Sequence, residues 1–151
     1  MLATAVSAAN DCFFCMDSHA AHATAVMERE GGLDQVALLD TIKIGSSEGF
    51  SPKMQALLHI ARTVRRDPRA LTRSDTDAAC AAGAADSDVQ LAVLIAAAFS
   101  MYNRLVDGFR ARTSANLDMY AMRAGEIAEN GYSAPSQIAS PQPLGTKPGA
   151  G

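Results

Sequence analysis

The fold is decided by the stretch VQLAVLIAAAFSMYNRLVD, residues 89–107, which is the most apolar part of the chain. It contains no proline or glycine, and its alanines and leucines are strong helix formers. Asp86, Ser87 and Asp88 precede it as capping residues, and Gly108 follows as a stop signal. The stretch predicts a long helix over about 89–107, and its apolar character predicts a central position in the fold.

Helical periodicity and capping signals recur on both sides of this stretch. They predict helices over residues 1–9, 11–30, 33–43, 52–66, 72–82 and 114–129. From Gly131 onward, prolines recur without apolar periodicity, which predicts a disordered tail. We therefore expect one all-α domain over 1–130, a compact orthogonal bundle of about six helices, followed by the tail 131–151.

Composition narrows the classes of function. The 151 residues are 48% hydrophobic and carry a net charge of −3, so nucleic acid is not an expected partner. A cluster of arginines is expected to be a solvated helix end: Arg62, Arg65, Arg66, Arg69 and Arg73. The longest apolar run, Leu91 to Phe99, is far shorter than the roughly 20 residues that cross a bilayer. With no signal peptide pattern, we expect a cytoplasmic protein with reduced cysteines and no membrane partner.

The segment NDCFFCMDSHAAHA, residues 10–23, carries the chemistry. On one helix Cys12, Cys15, His19 and His22 lie at i, i+3, i+7 and i+10, on one face. These are zinc-ligand types, but ten helical residues span about 15 Å, too far for all four to hold one ion. A purely structural role is also open, because cysteine is among the most buried residue types.

Thiol redox chemistry is the third interpretation of this segment. Residues at i and i+3 lie about 5–6 Å apart, close enough for a disulfide between Cys12 and Cys15. Backbone N–H groups at a helix start favour a thiolate, and His19, four residues after Cys15, can take the thiol proton. Asp11 and Asp17 oppose ionisation of the thiols, since nearby negative charge raises a thiol pKa.

Two motifs give the chain a resemblance to a known family. AVSAANDCFFCMDSHAAHA, residues 5–23, resembles the signature of alkylhydroperoxidase D-like proteins in the carboxymuconolactone decarboxylase family. Residues 67–109, with a Leu-Thr opening, an Ala-Gly-x-x-Asp turn and an Asn-Arg-Leu-x-Asp-Gly end, resemble the second half of its peroxidase-related branch. Together the two motifs cover most of residues 2–110.

The resemblance implies a thiol-dependent peroxidase or disulfide oxidoreductase that forms homo-oligomers. It implies that Cys15 attacks a hydroperoxide, that Cys12 resolves the product as a disulfide, and that His19 belongs to the proton relay. It requires no metal, haem or flavin, and it implies a dithiol reductant of the lipoyl or thioredoxin type. His22 and Asn103 are candidates for an extended relay or for residues behind the site.

The chain departs from the family pattern in two places. Phe14 stands where the pattern often has a second histidine. The family relay also includes a glutamate twelve residues before the first cysteine, and that position falls before Met1. We therefore expect the sequence to be truncated at its N-terminus and its turnover to be impaired.

Two residues outside the motif are expected to be structural. Cys80 lies in an alanine-rich helix and is expected to be a small buried hydrophobe. His59 lies at the edge of the apolar face of the 52–66 helix and is expected to be a satisfied interface histidine. Two other classes of function remain open: a non-catalytic redox-sensing or interaction module, and a decarboxylase-like activity, against which the Cys-Phe-Phe-Cys pair argues.

Overall fold

Helices account for all regular secondary structure in residues 1–114 and 116–132, the part of the chain that this computed structural model describes. The helices α1 to α8 are, in chain order, Leu2–Ala9, Phe13–Glu30, Leu33–Val36, Leu38–Lys43, Pro52–Arg66, Arg73–Ala81, Asp86–Gly108 and Leu117–Asn130. A 3₁₀ turn, Pro68–Ala70, joins α5 to α6. The expectation of an all-α fold is confirmed for these residues. The predicted tail lies outside them from residue 133 onward.

Local capping chemistry explains where α5 begins and ends. The Ser51 hydroxyl accepts a hydrogen bond from the Met54 N–H at 3.3 Å, and Pro52 occupies the first helical position, where its missing N–H costs nothing. Asp67, which precedes Pro68, is extended and ends the helix. Both predicted bounds of α5 are confirmed.

Two segments differ from the sequence expectation. Residues 33–43 form α3 and α4, two short helices that meet at Ala37, so the described residues have eight α-helices where seven helical segments, in a bundle of about six helices, were predicted. The helix predicted over 89–107 begins three residues earlier, at Asp86. The acidic residues are its first turn rather than its cap, because carboxylates interact favourably with the positive end of the helix dipole.

The core consists of two apolar clusters that meet at α1. Val6 belongs to the cluster between α1, α5 and α7, while Ala5 belongs to the cluster between α1, α2, α4 and α5. Both side chains are almost fully buried. The short first helix is therefore at the centre of the fold, and it positions the residues that follow it.

The prediction that α7 is central is wrong. Only a narrow face of α7, including Ala92, Ala96 and Asn103, is buried against α1 and α5. Large apolar side chains on its opposite face are exposed, among them Leu91, Leu94, Met101 and Leu105. The high apolar content of α7 predicted that the helix would be buried on all sides. Instead, its buried side consists of small residues, and its large apolar residues lie on the exposed side.

Candidate active site

The two cysteines lie at the junction between α1 and α2. Asp11 adopts a left-handed backbone conformation with φ of 57°, which turns the chain sharply after α1. Cys12 follows as the N-cap residue of α2, with its N–H donated to the Ser7 carbonyl at 3.0 Å. Cys15 lies in the first turn of α2. The predicted helix start at Asp11 is thus two residues early, and Cys12 lies just outside the helix.

Both cysteines are free thiols, and both are buried, with relative exposures of 1% for Cys12 and 4% for Cys15. The pKa of Cys12 is raised to about 12, first by burial and then by a hydrogen bond and charge interaction with the Cys15 sulfur and a hydrogen bond to Asp107. The Cys15 N–H acts in the opposite direction. The Cys12 thiol therefore keeps its proton near neutral pH, and two acceptors lie within its reach.

A network of polar side chains holds the turn that precedes Cys12. Asn103, which is 1% exposed, accepts a hydrogen bond from the Asn10 amide at 2.8 Å and donates one to the Ser7 hydroxyl at 3.1 Å. Arg65 donates to the Asn10 side-chain oxygen at 2.6 Å. The network ties α7 and α5 to the loop that carries Cys12. Asn103 thus contacts Ser7 and Asn10, which precede Cys12, and its role in a proton relay stays a prediction.

His19 lies one turn after Cys15 on α2. Its ring packs edge-on against Phe99 at 4.5 Å between centroids and stacks against His22 at 5.5 Å. Burial, followed by the charges of His22 and the Met1 amino group, lowers the pKa of His19 to about 4. The ring is therefore neutral near pH 7, and its burial makes it a weaker base than an exposed histidine. Within residues 1–114 and 116–132, no hydrogen bond joins it to either sulfur.

His22 has a fixed tautomer in its neutral form. Its Nδ1 lies 2.6 Å from the Ser18 carbonyl oxygen, which can only accept, so Nδ1 carries the proton. Nε2 is then an acceptor, and it is buried without a hydrogen-bond partner among residues 1–114 and 116–132. His22 thus contacts His19 by ring stacking rather than by a hydrogen bond.

An apolar cavity of about 320 Å³ lies between α2 and α8, next to this histidine pair. Its lining residues are Phe14, Ser18, His22, Ser114, Met119, Tyr120 and Arg123. Neither cysteine belongs to this lining, and both are buried. A peroxide in this cavity therefore reaches the sulfurs only after the side chains that cover them move.

Two expectations about residues outside the motif need correction. Cys80 is exposed rather than buried, and its thiol donates to the Asp86 carboxylate at 3.7 Å. Partial desolvation and the charges of Asp86 and Asp77 raise its pKa. His59 is satisfied, as predicted, but by an exposed hydrogen bond between its Nε2 and the Asp75 carboxylate at 3.0 Å rather than inside an interface.

Sequence reasoning missed several residues that surround the cysteines. Asp107 lies one helical turn after Asn103, so the Asn-Arg-Leu-x-Asp-Gly spacing contained the signal that both face the same loop. Arg65 was assigned to a solvated cluster, although its guanidinium bonds Asn10, and Arg62 likewise donates to the Ser46 carbonyl at 2.7 Å. Among the described residues, no group of three or more His, Cys, Asp or Glu side chains is placed to hold a metal ion.

Comparisons with known proteins found no family model that matches this chain and no curated protein similar to it. The resemblance to alkylhydroperoxidase D-like proteins therefore rests on the two sequence motifs alone and stays a prediction.

Proposed function

We propose that this protein is a thiol oxidoreductase that reduces hydroperoxides through Cys12 and Cys15. The observation that carries the proposal is the pair of buried free thiols at the start of α2, close enough for Cys15 to raise the pKa of Cys12, one turn before a neutral histidine. A buried pair that served only to fill space would need neither the Asp107 carboxylate nor the polar network beneath it.

The two thiols have different roles in this proposal. Cys12 keeps its proton, so it is not the first nucleophile, and its S–H stabilises negative charge that develops on the Cys15 sulfur. Cys15 is therefore the attacking thiolate, and its proton passes to the neutral His19 ring once a movement brings the ring to the sulfur. Cys12 is the resolving thiol, and Asp107 is placed to accept its proton.

The proposed cycle consumes one hydroperoxide and two thiols. The Cys15 thiolate attacks the terminal peroxide oxygen, the O–O bond breaks, and the alkoxide leaves as an alcohol after protonation by the imidazolium of His19. Cys15 is then a sulfenic acid. Cys12 attacks the Cys15 sulfur, a disulfide forms, and the S–O bond breaks to release water. An external dithiol, of the lipoyl or thioredoxin type, returns both sulfurs to thiols in a reducing compartment such as the cytoplasm.

The position of Cys12 suits the disulfide step. As the N-cap residue it lies outside the regular hydrogen bonding of α2, and its φ of −87° and ψ of 86° are not helical. A change in the backbone angles of residues 10–12 can therefore bring the Cys12 sulfur to the Cys15 sulfur. The hydrogen bonds of α2 stay intact during this movement.

Variants of the three cysteines test the proposal. Peroxide consumption is measured with an excess of dithiothreitol, and sulfenic acid is trapped with dimedone and located by mass spectrometry. We expect Cys15→Ser to lose at least 100-fold in rate, Cys12→Ser to accumulate sulfenic acid at Cys15, and the exposed control Cys80→Ser to match the wild type. Full activity in Cys15→Ser would show that the assigned roles are wrong.

A redox-sensing module is the second candidate function, and the near-complete burial of both sulfurs favours it. A sensor reacts once and is slow to be reduced, whereas a peroxidase turns over many times. Repeated turnover with dithiothreitol supports the enzyme. A single round of oxidation that reductant reverses only over hours supports the sensor.

A further inference from the structure

The apolar cavity between α2 and α8 has the size and the opening that a small-molecule site needs. Its volume of about 320 Å³ lies in the range of such sites. All of its lining side chains are half-buried, so the cavity opens to solvent and a ligand can enter from there. An apolar cavity of about 150 Å³ is enough to hold benzene, so this one has room for about two fused rings.

The hydroxyl groups of the lining are already engaged within the chain. The Ser18 hydroxyl donates to the Cys15 carbonyl at 3.4 Å, and the Tyr120 hydroxyl donates to the Ser114 carbonyl at 2.5 Å. The Ser114 hydroxyl donates to the Met119 sulfur at 3.3 Å. None of these three hydroxyls is left to donate to a ligand, which therefore has to bind through apolar contacts.

The charges of the lining favour a neutral ligand over an ion. Arg123 is the only lysine, arginine or acidic residue among the described lining residues, and it pairs with Glu126 at 2.9 Å. The exposed fractions of the two side chains are only 25% and 19%, so the pair is partly shielded from water. The unpaired Nε2 of His22 is closed to solvent, and a ligand that enters from solvent does not reach it.

The lining side chains also favour an aromatic ligand over an aliphatic one. Phe14 and Tyr120 present two rings in an edge-to-face arrangement, with 5.7 Å between their centroids. A third ring interacts favourably with such rings and with the sulfur of Met119. The planar guanidinium of Arg123, whose charge Glu126 balances, also stacks on aromatic faces.

A second gap between α2 and α8 has a different chemistry. It measures about 470 Å³, and its lining includes the charged side chains of Glu28, Arg29 and Glu129. A neutral aromatic molecule would have to displace water from these charges, which is unfavourable. The ligand preference derived above therefore applies to the apolar cavity alone of these two.

We propose that the apolar cavity is a binding site for a neutral molecule built on one or two aromatic rings. The molecule needs no peroxide group, because neither reactive sulfur lines the cavity. Bound there, it contacts α2 and α8 together, and α2 is the helix against which α8 mainly packs. A ligand that binds only the docked arrangement stabilises it, so occupancy is expected to hold α8 against α2.

Isothermal titration calorimetry of the reduced full chain tests the ligand class with three probes of similar size. 2-Naphthol is neutral and aromatic, decahydro-2-naphthol has no aromatic faces, and 2-naphthoate carries a negative charge. We expect 2-naphthol to bind a single site with a dissociation constant below about 1 mM, and the other two to bind more weakly by about fivefold or more. No binding of 2-naphthol, or equal binding of all three probes, would overturn the proposal.

Variants of the lining test whether the probe lies in this cavity. Ser18→Phe fills the cavity from α2 and is expected to abolish binding, whereas Ser74→Phe, at an exposed position of α6, is expected to match the wild type. Phe14→Leu keeps an apolar side chain without the ring, so it is expected to weaken 2-naphthol and leave decahydro-2-naphthol unchanged. Phe14→Leu decides the question if Ser18→Phe fails to fold. Unchanged 2-naphthol binding in the folded variants would place the probe elsewhere and overturn the proposal.

Hydrogen exchange measured with and without 2-naphthol tests the expected effect on α8. We expect slower exchange of the backbone amides of α8 and unchanged exchange in α6, which lies outside the cavity. Protection confined to helices other than α2 and α8 would contradict the assigned site. No probe contains a peroxide and no variant replaces Cys12, Cys15 or His19, so a negative result here leaves the proposed redox function untouched.

Discussion

At the scale of single residues, His19 has the most strongly altered chemistry after Cys12. Burial between Phe99 and His22 favours its neutral ring and lowers its pKa to about 4. An unfolded chain would bind a proton at this histidine below about pH 6.5. Between these two values the unfolded state holds more protons than the native state, so the contribution of neutral His19 to stability is present above pH 6.5 and is lost as the pH falls toward 4.

The predicted result is a free energy of unfolding that declines between pH 6.5 and 4, measured by urea titration at several pH values. His19→Phe keeps an aromatic ring against Phe99 and is expected to flatten this decline. The control His59→Gln removes an exposed histidine and is expected to leave the decline in place. A pH profile that is the same in the wild type and in His19→Phe would contradict the burial of a neutral imidazole.

The sequence predicted the placement of Cys12, Cys15 and His19 better than it predicted their surroundings. The spacing of Cys12, Cys15 and His19 depends only on local helix geometry, so their order along the start of α2 was predictable. Asp107 reaches Cys12 through the packing of α7 on α1, so the motif spacing that puts Asp107 one turn after Asn103 does not by itself show the contact. Cys80 was predicted to lie in the core because of its residue type. In the structure Ala79 is the buried residue of α6, and Cys80 is exposed to solvent.

At the scale of secondary structure, the polar contact between α1 and α7 is the one most sensitive to substitution. Asn103→Ala leaves the Ser7 hydroxyl and the Asn10 amide without their partners in a buried place, and it opens a small cavity. We expect a loss of about 2–4 kcal/mol in the free energy of unfolding. The control Asn130→Ala, at the exposed end of α8, is expected to change it by less than about 0.5 kcal/mol. Equal effects of the two substitutions would show that the network contributes little.

Helix bounds were predictable wherever capping chemistry was explicit. Ser51 and Pro52 fix the start of α5, and Gly31 in a left-handed conformation ends α2 at the predicted residue. The weakly patterned segment 33–43 had no such signals, and the break at Ala37 depends on how α4 packs Leu39 and Ile42 against the core. Packing of this kind joins residues distant in sequence and is not readable from a local window.

At the scale of the whole molecule, the arrangement of helices places the cysteines at a junction rather than on an open surface. α1 contacts α2, α5 and α7, so the loop from Asn10 to Cys12 is enclosed on several sides. Enclosure protects the thiols from general oxidation and requires local motion before a substrate reaches them. The helix α7, whose buried side carries Asn103, leaves large apolar side chains exposed on its outer side.

The central claim is that Cys12 and Cys15 act as one redox pair. The most direct measurement adds one equivalent of hydroperoxide to the reduced chain, counts the remaining thiols, and maps disulfides by mass spectrometry. Of the three cysteines in the sequence, the account predicts loss of two, joined as an intramolecular Cys12–Cys15 disulfide, with Cys80 still reduced. Oxidation confined to Cys80, or three intact thiols beside unconsumed peroxide, would contradict it.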